Sequence, residues 1–168
     1  KRRVASIGTL GIKTQNYIRK VSNTTIDPIT LSLVLNKLKK ERINDVILEA
    51  SSHGLKQNRL DGLQFKTAIF TNLSHDHLDY HKTFNDYLKS KLYLFKKLLK
   101  KNANIITDIE APQYIKIKKI ALKNKLNIET ISNNKSNLEI ISHEYQNEKQ
   151  VVKIRYNKNI YKFETRLI

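Results

Sequence analysis

Cysteine is absent from this 168-residue chain, which excludes disulfides and thiolate-ligated metal and fits a cytoplasmic protein. Methionine is absent too, so there is no initiator residue, and the chain opens abruptly on Lys-Arg-Arg; it is expected to be a piece of something longer. No run of eighteen or more apolar residues occurs, so no membrane-spanning helix is expected, and no signal peptide is recognisable. Neither phosphate-cradling motif, GxGxxG or GxxxxGK followed by Ser or Thr, is present. Internal repeats and low-complexity linkers are missing as well, and the length suits one domain with a real core.

Negative charge is in short supply: 15 acidic residues face 32 lysines and arginines, a formal net charge of +17. Such an excess invites a nucleic-acid reading. The lysines are dispersed, however, with no long basic run and no interleaved aromatics, and Lys, Asn and Ile are abundant throughout, as AT-rich coding sequence would produce. Charge alone is a non-specific signal, and no nucleic-acid partner is expected.

What is present alternates. Val4 to Ile7 forms an apolar strand candidate, followed by a polar, loop-like stretch over 12–23. Asp27-Pro28 starts a helix, a capping carboxylate followed by proline at the first helical position, with Leu31, Val34, Leu35 and Leu38 on one face to about Arg42. A strand over 46–49, a loop containing Asp61-Gly62 and a strand over 66–71 come next. Thr83 and Asp86 have capping-box spacing and open a helix expected to run to 101. A strand at Asn104 to Thr107, a helix from Ala111 to Lys125 and a strand at Asn127 to Ile131 continue the alternation. This is the pattern of an α/β, doubly wound, mostly parallel sheet. After Asn133 the texture changes to Leu138–His143, Val151–Tyr156 and Ile160–Arg166, a small antiparallel meander with a turn at Asn157-Lys158-Asn159.

The chemistry concentrates between Val46 and His81. Two apolar runs each end in polar groups: Glu49, Ser51, Ser52 and His53 after the first, and Asn72, Ser74, His75, Asp76, His77, Asp79 and His81 after the second. Sites form at the C-terminal ends of parallel strands. Glu49, directly closing an apolar strand, must face a partner. His75-x-His77-x-Asp79 begins like the HxHxDH motif of dinuclear-metal hydrolases, but Tyr80 stands where histidine is required and His81 is one residue late. His75 and His81 are read as surface or hydrogen-bonded residues.

One lysine breaks the amphipathic rule. At about 100° per residue, Phe84, Tyr87, Leu88, Leu94, Phe95 and Leu98 share an arc with Lys91 near its middle, whereas Lys89, Lys96, Lys97, Lys100 and Lys101 lie opposite. A lysine directed at a core either snorkels out or has a depressed pKa and serves as nucleophile, charge clamp or modification site. Glu49, His77 and a buried Lys91 could frame a hard-cation site suited to Mg²⁺.

These residues match a known family. Glu49-Ala50-Ser51-Ser52-His53-Gly54-Leu55 with Gln57 and Arg59, then Phe70-Thr71-Asn72-Leu73-Ser74-His75-Asp76-His77-Leu78-Asp79-Tyr80-His81, resembles the Mur ligases, most nearly the MurE type. Asn23-Thr24-Thr25-x-Asp27-Pro28 and Tyr87-x-x-Ser90-Lys91-x-x-Leu94-Phe95 match in the same order. The specific motifs cover Val4 to Phe95, and the remainder follows by architecture. Ala50, Ile26 and Ser90 replace the usual valine, proline and alanine, and His75 falls at a variable position.

The resemblance implies the central, P-loop-NTPase-like domain of a three-domain, ATP-dependent amide ligase of peptidoglycan precursor synthesis. It implies that Lys91 is carbamylated, that His77 and the carbamate bind one Mg²⁺, and that Glu49 binds the Mg²⁺ on the nucleotide phosphates. Asn23, Thr24, Thr25, Ser51, Gln57 and Arg59 would contact UDP-MurNAc-dipeptide, with Asp76 supporting the metal site from behind. The added amino acid would be diaminopimelate or lysine, and the parent enzyme monomeric. On the same basis residues 1–168 are expected to be a truncated domain that lacks the phosphate loop and both flanking domains, and to be inactive alone.

Overall fold

A computed structural model of the chain describes residues 2–74, 77, 79–133, 136–146 and 148–166. In chain order the elements are β1 (Val4–Gly8), β2 (Gly11–Lys13), β3 (Ile18–Arg19), α1 (Pro28–Lys40), β4 (Asp45–Leu48), α2 (Ser52–Lys56) and β5 (Phe65–Phe70). They continue with α3 (Phe84–Lys97), β6 (Leu99–Asp108), α4 (Tyr114–Asn124), β7 (Asn127–Ser132), β8 (Leu138–Gln146), β9 (Lys149–Tyr156) and β10 (Asn159–Arg166). They fall into two compact units, Lys1–Gln64 with His75–Leu98, and Phe65–Ser74 with Leu99–Ile168.

The first unit holds a four-stranded sheet in the order β3-β2-β1-β4. β1 and β4 run parallel, with Ala5 opposite Val46 and Ile7 opposite Leu48, and the Glu49 amide extends the ladder by donating to the Ile7 carbonyl at 2.9 Å. The stretch expected to be a loop after β1 is a short hairpin. Gly11 takes a positive φ of 90°, Ile12 is buried, and the Thr14 hydroxyl accepts from the Asn16 and Tyr17 amides to close the turn. Its strands are too short for period-two alternation to register.

α1 starts as expected, with Asp27 accepting from the Thr30 amide at 2.9 Å and Pro28 in the first turn. It buries Leu31, Val34 and Leu38, each a stabilising burial of roughly 1.5–3 kcal/mol. α2 was expected to be loop. It is a five-residue helix capped by Ser51, whose side chain accepts from the Gly54 amide at 3.1 Å. α3 is capped by Thr83 through the Asp86 amide and buries Tyr87, Leu88, Ser90, Leu92 and Phe95. It ends at Lys97, four residues short of expectation: Lys100 and Lys101 lie in β6, inside the register shift between its first paired residue, Leu99, and the regular ladder that begins at Asn104.

The second unit holds a six-stranded sheet, β10-β9-β8-β7-β6-β5, parallel from β5 to β8 and antiparallel from β8 to β10. The α/β class and the terminal meander match the sequence reading, but the parallel pairs divide between two hydrogen-bonded sheets. β4 pairs with β1 and β5 pairs with β6. Apolar runs identify strands without naming their partners. α4 crosses from β6 to β7 and buries Ile117 and Ala121 beside the core residues Ala103, Ile105 and Thr107. Asn157 and Lys158, with φ of 49° and 67°, form the two-residue turn between β9 and β10, the positive-φ pair whose twist suits a hairpin. Among the described residues no helix is long and apolar enough to cross a membrane.

Candidate functional site

The first unit contains an open cleft of about 470 Å³ lined by Thr9, Asn23, Thr24, Thr25, Ser51, His53, Gln57, Arg59 and His77. Its walls begin where β1 and β4 end. Parallel pairing brings Thr9 and Glu49 side by side at the C-terminal ends of adjacent strands. The Thr9 amide and hydroxyl both donate to Glu49 Oε2, at 3.0 and 2.7 Å. Glu49 therefore has the partner its position demanded.

The second wall is organised by Thr25, which is buried. Its hydroxyl donates to the Glu49 carbonyl at 2.8 Å and accepts from the Ser51 amide at 2.9 Å. The Ser51 and Thr25 hydroxyls are 3.1 Å apart. This ties the Asn23-Thr24-Thr25 segment to the start of α2. Gly54 is required there: a Cβ at Gly54 would stand 2.6 Å from the Thr25 Cβ, inside any real contact distance. Beyond α2, Arg59 donates through Nη1 to the Thr25 carbonyl at 2.6 Å and through Nε to Gln57 Oε1 at 2.8 Å. Gln57 in turn donates to the Tyr80 hydroxyl at 2.9 Å.

The third wall is a stack of rings. His53 packs on Tyr80 with centroids 4.0 Å apart, and on His77 at 5.1 Å. Burial, with His77 nearby, pushes the His53 imidazole below its ordinary pKa. His77 takes a left-handed φ of 59° and its carbonyl accepts from the Tyr80 and His81 amides. For a non-glycine residue that conformation costs on the order of 1 kcal/mol or more, a strain found at functional sites. Behind this wall His81 is fully buried, stacked on Tyr87 at 4.9 Å and hydrogen-bonded through Nε2 to the Ser52 hydroxyl at 2.9 Å. It is the hydrogen-bonded residue the sequence suggested. His75 and Asp76 lie outside the described residues.

Lys91 occupies the buried side of α3, half-buried, with Nζ 5.3 Å from the Tyr87 ring centroid. Desolvation lowers its pKa. Lys89, Lys96 and Lys97 of the same helix are exposed.

The fold thus gathers Asn23, Thr24, Thr25, Ser51, Gln57, Arg59 and His77 around one cleft, with Glu49 fastened to its edge through Thr9. Glu49 and Lys91 are not themselves cleft-lining. Of the remaining lining residues, Thr9 was not singled out from the sequence, and His53 was named in the polar cluster after the first apolar run without a role. Thr9 could have been found by treating the residue after β1 as Glu49 was treated after β4. His53 needed α2 to be recognised.

Among the described residues, no three His, Asp or Glu side chains converge on one metal position. The hydrolase triad His75, His77 and Asp79 includes a residue outside the described set.

Residues 1–168 match a family model described as the Mur ligase middle domain. The chain is 36% identical over 153 residues to the UDP-N-acetylmuramoyl-L-alanyl-D-glutamate–2,6-diaminopimelate ligase of Agrobacterium fabrum, covering 91% of the chain and 31% of that protein. It is 37% identical over 157 residues to the ligase of the same name from a Chelativorans species, covering 94% and 32%. The chain spans about a third of the length of these relatives. A solved structure of a ligase bearing that name superposes with a TM-score of 0.84 at 29% identity, covering 99% of the chain and 34% of the solved one.

Proposed function

The chain belongs to the Mur ligase family, and on that premise we propose that it is the central part of an ATP-dependent ligase joining diaminopimelate to UDP-N-acetylmuramoyl-L-alanyl-D-glutamate. The names of its relatives favour diaminopimelate over lysine as the added amino acid. The observation that carries the reading is the convergence of Asn23, Thr24, Thr25, Ser51, Gln57 and Arg59 on one cleft. Hydroxyls, amides and a guanidinium at such density suit an anionic, hydroxyl-rich ligand, and the UDP-sugar dipeptide is one.

In this reading the D-glutamyl carboxylate attacks the γ-phosphorus of ATP, the bond from that phosphorus to the β,γ-bridging oxygen breaks, and ADP leaves. The amine of the incoming amino acid then attacks the acyl phosphate carbonyl, forming the amide and releasing phosphate. Little covalent work falls to the protein, whose task is positioning and charge stabilisation. Arg59, held by Thr25 and Gln57, orients a substrate anion, while Ser51 and Thr24 offer hydroxyls along the same wall.

The donor set fits Mg²⁺, which favours oxygen ligands and accepts one or two protein groups while keeping waters or phosphate oxygens. Glu49 would hold one ion, and His77 with Lys91 as its carbamate a second. The lowered pKa of Lys91 supports this, because the neutral amine is the form that adds carbon dioxide. Bound there, Mg²⁺ would neutralise charge on the phosphoryl oxygens. The cytoplasm, where ATP and the UDP-sugar are available, is the proposed location, and the monomer the proposed working state.

The test uses the protein that carries this chain, with UDP-MurNAc-L-Ala-D-Glu, ATP, Mg²⁺ and either diaminopimelate or lysine. One ADP per amide formed is expected, with diaminopimelate the preferred amine. Phosphodiester or ester hydrolysis without ATP would overturn the reading in favour of a metal hydrolase, and retention of DNA at moderate salt without ligation would favour a nucleic-acid-binding module.

A further inference from the structure

We propose that Thr9 is a positioning residue: it sets the Glu49 carboxylate and couples it to the substrate wall through Thr24, a role that rests on the ligase reading above. Three constraints act on one exposed carboxylate. The Thr9 amide and hydroxyl both donate to Oε2, at 3.0 and 2.7 Å. Gly8 supplies the third. A Cβ there would overlap the Glu49 Cγ, Cδ and Oε1 atoms, so the side chain lies across a residue that has none.

The direction of the hydrogen bonds follows from proton counting. A threonine hydroxyl has a single proton, and that of Thr9 goes to the carboxylate, the stronger acceptor. In the 3.0 Å contact between the Thr9 and Thr24 hydroxyls, Thr24 must therefore be the donor. The chain of donation runs from Thr24 to Thr9 to Glu49. It begins on a residue that lines the cleft and ends on the carboxylate assigned to the cation.

Oε2 is thereby occupied, and among the described residues Oε1 has no hydrogen-bond partner. A carboxylate with one oxygen clamped and the other open is prepared for a single cation contact. A glutamate on an exposed strand end would otherwise sample many rotamers. Partners behind a metal ligand commonly change metal affinity or activity by about 10–100-fold when removed, and Thr9 is placed to be such a partner.

The experiment uses the protein that carries this chain in three variants, with Mn²⁺ in the presence of ADP as the probe, read by electron paramagnetic resonance beside steady-state kinetics. Thr9→Val keeps the shape and the backbone donor but removes the hydroxyl. It is expected to weaken Mn²⁺ binding about tenfold or more, lower kcat, raise KM for the UDP-MurNAc-dipeptide and leave KM for diaminopimelate in place. Thr9→Ser restores the donor and should recover most of both losses. Gly8→Ala displaces the carboxylate without deleting any hydrogen-bond donor and should reproduce the Mn²⁺ defect. Wild-type Mn²⁺ affinity in Thr9→Val overturns the inference, as does equal damage in Thr9→Val and Thr9→Ser. If the wild type ligates and Glu49→Ala does not, a normal Thr9→Val removes only the Thr9 role. If the wild type neither ligates nor binds Mn²⁺ with ADP, the ligase reading falls and takes this inference with it.

Discussion

Arg59 donates to the carbonyl oxygen of Thr25 at 2.6 Å across thirty-four positions of sequence. The bond fastens the end of the α2 segment to the Asn23-Thr24-Thr25 segment, and the Arg59 Nε–Gln57 bond fixes the guanidinium plane. One side chain thus shapes the wall and, in the proposed function, offers its charge to the substrate.

Lysine cannot reproduce that fork. Arg59→Lys is expected to raise the dissociation constant for UDP-MurNAc-L-Ala-D-Glu by roughly 10–100-fold, the range for losing a hydrogen bond to a charged group. Isothermal titration calorimetry on the protein carrying this chain measures it. An affinity within twofold of wild type would show that Arg59 is only structural.

Lys91 supplies the second prediction. Its burial favours the neutral amine, and the proposed carbamylation would turn a half-buried cation into a carboxylate-like ligand. Lys91→Ala should lower kcat by more than about a hundredfold, the scale for deleting a group that stabilises developing charge, with partial recovery in added short carboxylic acids. A ¹³C resonance in the carbamate region after labelling with ¹³CO₂, absent from Lys91→Ala, would identify the modification directly. Undiminished ligation by Lys91→Ala would refute it.

Gly54 gives a packing test. Because a side chain there meets Thr25, Gly54→Ala should destabilise by about 1–3 kcal/mol, the usual cost of overpacking, despite alanine's better helix propensity. Urea denaturation measures the change. Stabilisation instead would mean that α2 shifts away without cost.

The pH dependence follows from His81 and His53. Burial lowers the pKa of both; for His81 the nearby Lys56 ammonium adds to this, and together they outweigh the opposing Asp86 carboxylate. A histidine whose folded pKa lies below its unfolded value of about 6.5 takes up protons preferentially when unfolded. Stability is therefore expected to be full above about pH 7 and to fall as pH drops through about 6.5, levelling off below the folded values. Thermal unfolding monitored by circular dichroism from pH 8 to 5 checks the sign, and His81→Gln should flatten the slope.

Much of this protein is local enough to read from its residues. Asp27-Pro28 and Thr83 start helices because side-chain caps satisfy amides within one turn, an interaction that three or four residues specify. Asn157-Lys158 turns the last hairpin just as locally, through a pair of positive φ angles. Lys91 betrayed itself by helical periodicity alone, and the recognition motifs around Glu49 and His77 are contiguous strings. α2 and the first hairpin escaped because neither is long enough to impose a period. The overrun of α3 into Lys100 and Lys101 came from helical periodicity, which two lysines on the expected polar side continued past Leu98, whereas the chain turns there into β6.

What the sequence determined by itself is the chemistry available: which strands end in which functional groups, and which lysine faces inward. Strand partners were decided only in the folded chain, because an apolar run reports that it must be buried but not against what. Thr9 shows the difference most clearly. In the sequence only its place directly after an apolar run marks that threonine, and its neighbour Glu49 is forty positions away. Parallel pairing of β1 with β4 brings the two strand ends together, and hydrogen-bond geometry then leaves the Thr9 proton one destination.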